Sequence, residues 1–90
     1  MSDELSSLYS LLCTIKDRLE AWYSGEEVNI KGWLEDNTIN IKVKTYLIFD
    51  NTDLEFFLSI AREYGLKLDF EVCAEDDYTI IRLFFYPPEE

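Results

Sequence analysis

Histidine and glutamine are absent from this 90-residue chain, and it holds only 3 Gly, 2 Pro and 2 Cys. Without His, the commonest general base and the commonest metal ligand are missing, which weakens any catalytic or metal-centred reading. Cys13 and Cys73 stand far apart without CxxC spacing. That excludes a zinc finger or a disulfide scaffold and fits reduced thiols in a cytosolic protein. Gly25, Gly32 and Gly65 are isolated, so no phosphate-cradling loop is expected. No apolar run approaches the roughly 18 residues of a membrane span. No basic segment followed by an apolar stretch opens the chain, so no signal peptide is expected and the cytoplasm is the expected location. Cations are scarce too: 8 Lys plus Arg stand against 19 Asp plus Glu, for a formal charge of −11. Nucleic acid and acidic membranes repel such a chain unless its few cations cluster.

What is present is apolar. Hydrophobic residues make up 48% of the chain and aromatics 16%, enough for one core, and residues 1–90 read as a single domain. Leu5, Leu8, Leu12, Ile15, Leu19 and Trp22 recur every three or four residues, the stripe of an α-helix. Ser2 can cap it, Asp3 and Glu4 suit its first turn, and Ser24-Gly25 stops it. Two strands follow, 27–34 and 38–49, each alternating with period two around the turn Glu35-Asp36-Asn37. A second helix starts at Asn51-Thr52, with Thr52 and Glu55 as capping box. Leu54, Phe57, Leu58, Ala61 and Tyr64 give its buried stripe, Phe56 and Ile60 widen it, and Gly65 ends it. Strands 66–73 and 78–86 close the chain around Glu75-Asp76-Asp77, and Pro87-Pro88 ends the last one.

The order αββαββ predicts an α+β two-layer sandwich: a four-stranded sheet with two helices on one face. It is either a ferredoxin-like βαββαβ domain with its first strand moved to the end, or paired hairpins in a simple meander. The permuted form puts strands 38–49 and 78–86 in the centre. They are the most apolar pair, whereas the two outer strands carry Glu, Asp, Lys and Asn, which blunt edge-to-edge association.

With the better apolar set of each strand under the helices, the other sheet face is unusual. Five of the eight cations fall on it, Lys31, Lys42, Lys44, Lys67 and Arg82, with only Asp69 and Glu71 as anions. Trp33, Tyr46, Ile48, Tyr78, Ile80, Phe84 and Tyr86 join them. In the last strand Ile80 and Phe84 compete with Ile81, Leu83 and Phe85 for the covered side. Exposed aromatic patches of this kind mark interaction sites. The leading reading is a homodimer through Trp33, Lys42, Lys44, Tyr46, Ile48, Tyr78, Ile80, Arg82, Phe84 and Tyr86, with the sheets packed face to face. The alternative is single-stranded nucleic acid stacked on the aromatics, although the net charge and the missing Arg-Gly-Phe-type strand signature of RNA-recognition motifs count against it.

A third reading concerns the acids. Asp17, Glu20, Glu26, Glu27, Glu35, Asp36, Glu75, Asp76 and Asp77 would crowd the helices and turns, where they could dock on a basic protein as an adaptor or as an inhibitor mimicking nucleic acid. The plain alternative is a solvated face that maintains solubility. Catalytic residues are not expected. Cys13 with Lys16 and Asp17 is an ordinary helix surface, and Glu75-Asp76-Asp77 is too short a run for a calcium loop. No cofactor or metal is expected, and the chain reads as a non-enzymatic interaction module.

Overall fold

Leucine and isoleucine at three- and four-residue spacing leave a helix no stable place except against another apolar layer. In the computed structural model the first helix, α1, spans Ser2–Trp22, and Leu8, Leu12, Ile15 and Leu19 are buried on its inner side. Residues 2–24, 27–46 and 49–88 are described, with side chains in α1 from residue 7 onward. The expectations for the side chains of Ser2, Asp3, Glu4 and Leu5, and for Gly25, Glu26, Leu47 and Ile48, therefore lie outside the described residues. The stripe ends on Tyr23 rather than Trp22: Tyr23 is buried, whereas Trp22 stays largely exposed and stacks on Phe56 at 4.1 Å.

Strands β1 (Val28–Glu35) and β2 (Thr38–Thr45) form a hairpin. Its tip, Asp36-Asn37, has φ of 53° and 60°. Two consecutive left-handed residues match the twist of a two-residue hairpin, and Asp and Asn tolerate that conformation. β2 is shorter than its apolar pattern predicts: the chain bends at Tyr46, and Phe49 leaves the sheet to pack on the core. The second helix, α2, spans Asn51–Glu63. Its cap is Asp50 with Asp53, not Thr52 with Glu55. The Asp50 carboxylate accepts from the N–H groups of Thr52 (2.9 Å) and Asp53 (3.3 Å), and the Asp53 carboxylate accepts from the Asp50 N–H at 3.1 Å. Both frames have the same spacing; the earlier one also lets Asp53 reach α1. Gly65, at φ 66°, supplies the left-handed residue that turns the chain into β3 (Lys67–Glu75), which pairs with β4 (Tyr78–Tyr86).

The sheet is antiparallel throughout, in the order β1-β2-β4-β3. This is the permuted ferredoxin-like order, and not that of a meander. Ile39, Ile41 and Val43 of β2 and Ile81, Leu83 and Phe85 of β4 are fully buried beneath both helices, with Phe57, Ile60 and Ala61 of α2. Each such aliphatic or aromatic side chain contributes about 1.5–3 kcal/mol through burial. α1 lies over β1 and β2. Gly32 allows that approach, since a Cβ there would stand 2.8 Å from Leu12 Cδ1.

α2 differs from its expected stripe. Ile60 is fully buried, and Leu58 is largely exposed on the flank away from α1. The Trp22 indole N–H (3.2 Å) and the Tyr23 hydroxyl (2.9 Å) donate to Asp53, so the first turn of α2 is held against α1. The far half of β3 is left bare. Phe70 and Val72 face the helix side yet are 46% and 54% exposed, against the expectation that they would be covered. No helix among the described residues is long and apolar enough to cross a membrane.

Candidate functional site

The open face of the sheet is built by strand alternation and by register. Every second residue of each strand points away from the helices. Pairing sets these residues in rows across the four strands. One row is Trp33, Asn40, Phe84 and Asp69. The next is Lys31, Lys42, Arg82 and Glu71. Then come Asn29, Lys44, Ile80 and Cys73. Tyr78 and Glu75 follow, with Tyr46 beside Tyr78; at the other end Lys67 stands opposite Tyr86. The expected face is therefore assembled with the parity read from the sequence.

The second row is the unusual one. Lys31 stands directly opposite Lys42, and Lys42 directly opposite Arg82. Like charges opposed across strands cost stability, so folding alone does not favour this row. Among the described residues no carboxylate lies within ion-pair distance of these three cations. Lys44 differs: its Nζ is 3.7 Å from Glu75 and 4.4 Å above the Tyr78 ring.

Aromatic side chains bracket the row. Tyr46 and Tyr78 stack at 4.3 Å, and the Tyr46 hydroxyl donates to that of Tyr78 at 2.8 Å. This bond, helped by desolvation, raises the pKa of Tyr46 and keeps it protonated. On the other side the Trp33 indole is 42% exposed and donates to Glu35 at 3.3 Å. Two shallow depressions meet at Lys42. One, of about 440 Å³, is lined by Asn29, Lys31, Lys42, Lys44, Tyr46 and Tyr78, with Glu27 and Val28 at its β1 side. The other, of about 340 Å³, is lined by Trp33, Asn40, Ile41, Lys42, Arg82 and Phe84, with Glu35 among them.

Trp33, Lys42, Lys44, Tyr46, Tyr78, Arg82, Phe84 and Tyr86 thus share one face. Ile80 belongs to it by register but is only 2% exposed beneath its neighbours, so it supports the surface rather than making contacts. Ile48 lies outside the described residues. The acidic set is more scattered. The two hairpin tips lie at opposite ends of the sheet, because Ile39 pairs with Phe85 and Thr45 with Thr79. Glu35 and Asp36 are therefore separated from Glu75, Asp76 and Asp77 by roughly 20 Å of strand. Asp17 and Glu20 are on α1, where Glu20 pairs with Lys16 at 3.1 Å. Glu27, Glu35 and Glu75 border the basic face instead of joining an acidic one. Sequence reading missed that role, although Glu35 and Glu75 share the strand parity of Trp33 and Cys73, which was the available signal.

Elsewhere, Cys13 and Cys73 are exposed free thiols. Among the described residues no three Cys, Asp or Glu side chains converge as metal ligands would. Comparison with protein-family models, curated proteins and solved structures finds no match, so the chemistry of this face carries the functional argument alone.

Proposed function

We propose that the protein is a non-enzymatic binding module whose open sheet face takes single-stranded nucleic acid. The row Lys31–Lys42–Arg82 carries this reading: three cations aligned at the cost of mutual repulsion, with no carboxylate within ion-pair distance among the described residues, although Glu71 stands opposite Arg82 at the end of the row, and with aromatic side chains on both sides. Phosphates would satisfy the row, and bases would stack on Trp33 and Phe84 or on Tyr46 and Tyr78. The net charge of −11 does not forbid it, because salt screens charges beyond roughly 8 Å at physiological strength. The row also argues against two sheets packed face to face. Lys42 and Arg82 lie midway along the central strands, so a centred twofold dimer would press them against the same residues of the mate. Scattering of the acids to opposite sheet ends makes one acidic docking patch the weaker reading.

The test is fluorescence anisotropy with short labelled single-stranded oligonucleotides across a salt series. Micromolar binding is expected, with log K falling against log salt at a slope of about −2 if three phosphates are neutralised. Replacing Lys42 and Arg82 together by Ala should weaken binding and make that slope shallower by about 0.7 per cation removed. Binding that ignores salt, or that survives the double substitution, would remove the proposal. Equal affinity for poly-glutamate would redirect it to an acidic protein segment.

A further inference from the structure

The bare half of β3 is a second surface, at the edge of the sheet; it borders the open face along Lys67, Glu71 and Glu75. β3 is an edge strand of nine residues and, among the described residues, pairs only with β4. Its helix-side residues Phe70 and Val72 are about half exposed, and Leu58 lies on the outer flank of α2 above the same edge of the sheet. The opposite edge differs: α1 covers β1, whose helix-side residues are half-buried. A long edge strand with exposed apolar side chains is a template for another strand.

We propose that the occupant is a second copy of this chain, paired β3 to β3 in antiparallel fashion about a twofold axis at Glu71, which joins two sheets into one of eight strands. The argument is self-complementarity. With the axis at Glu71, all nine residues pair. Lys67 meets Glu75 of the second copy, twice by symmetry. Phe70 meets Val72, and Leu68 meets Ala74, on the helix side. The two Glu71 side chains meet at the axis, but each already stands opposite Arg82 of its own β4, so the central row reads plus, minus, minus, plus.

Neighbouring registers that keep both copies on the same face are poorer. An axis at Asp69 also pairs Lys67 with Glu71, but it joins only five of the nine strand residues. An axis at Val72 opposes Asp69 and Glu75. An axis at Phe70 opposes Asp69 and Glu71. An axis at Cys73 opposes Glu71 and Glu75. Length and charge together therefore favour the Glu71 register over the slips.

Light scattering behind size exclusion, over a wide concentration range, tests this on the full chain. A concentration-dependent dimer is expected. Lys67→Glu should raise its dissociation constant roughly tenfold or more, since it turns two attractions into two repulsions. The swap Lys67→Glu with Glu75→Lys should restore most of the affinity. Phe70→Lys should also dissociate the dimer, and circular dichroism should show all variants folded. A monomer at every concentration overturns the proposal. So does a dimer that persists in Lys67→Glu and Phe70→Lys, or a swap that restores nothing. A dimer broken by Phe84→Glu and kept by Phe70→Lys uses the open face, and that outcome overturns it too. Oligonucleotide binding is read separately, so failure of one proposal leaves the other standing.

Discussion

Asp53 ties three parts of the molecule at a single carboxylate. It closes the cap of α2, accepts from the Trp22 indole at 3.2 Å and accepts from the buried Tyr23 hydroxyl at 2.9 Å. Burial pushes its pKa up, but the Asp50 N–H and the Trp22 and Tyr23 donors outweigh that and hold it below the ordinary aspartate value of 3.8. Tyr23 moves the other way, pushed far up by burial first and by Asp53 second. A carboxylate with a depressed folded pKa contributes stability that is fully present above its unfolded pKa. The contribution is lost as pH falls through the folded value. Asp53→Ala, which leaves the Tyr23 hydroxyl without its acceptor, should cost about 1–3 kcal/mol at neutral pH. Asp53→Asn keeps the shape and removes the charge. Its deficit relative to the native chain, measured by urea denaturation, should shrink between neutral pH and pH values below the carboxylate range. A deficit that stays the same at every pH would mean that the charge of Asp53 is not what holds the cap and the Tyr23 hydroxyl.

At the scale of elements, the central strands carry a conflict between folding and binding. Lys42 stands between Lys31 and Arg82, and three cations in line oppose the sheet that holds them. Lys42→Glu would make the row alternate in sign. It should raise the urea midpoint, by a stability of about 0.5–1 kcal/mol, while abolishing oligonucleotide binding. A lowered midpoint would show that Lys42 supports the fold and would remove the argument that the row is kept for a ligand. The face that carries the row was legible in the sequence, because period-two alternation with one covered face assigns every strand residue to a side; the alignment of Lys31, Lys42 and Arg82 was not, because it depends on register. The strand order was legible only as one of two alternatives: the contrast between the apolar pair 38–49 and 78–86 and the charged outer pair agreed with the permuted order, and the pairing of β2 with β4 decides it. What escaped depends on tertiary geometry. Trp22 and Tyr23 are adjacent aromatics at a helix end, and only the position of Asp53 decides which one is buried. The same bonds hold the start of α2 against α1, so Phe70 and Val72, apolar and correctly spaced for the core, are left bare. β2 stops at Thr45 because Phe49 is drawn to Tyr23 and Phe57, its ring centroids 6.1 and 6.3 Å from theirs, although the alternation runs past that point.

At the scale of the whole molecule, salt should act with opposite signs on folding and on binding. The chain carries −11 with its cations concentrated on one face, so most surface charges repel one another in the folded state. Screening that repulsion, and the repulsion within the Lys31–Lys42–Arg82 row, should raise the thermal midpoint by a few degrees as sodium chloride rises from about 0.05 to 0.2 M. Over the same range oligonucleotide affinity should fall, because each counterion released by a phosphate contact gains less entropy in more concentrated salt. Differential scanning fluorimetry and anisotropy on the same samples separate the two. If added salt strengthened binding as well as folding, the contact would be apolar. Trp33, Phe84 and the Tyr46–Tyr78 stack, rather than the cation row, would then carry it, and the phosphate-based reading of the face would have to be abandoned.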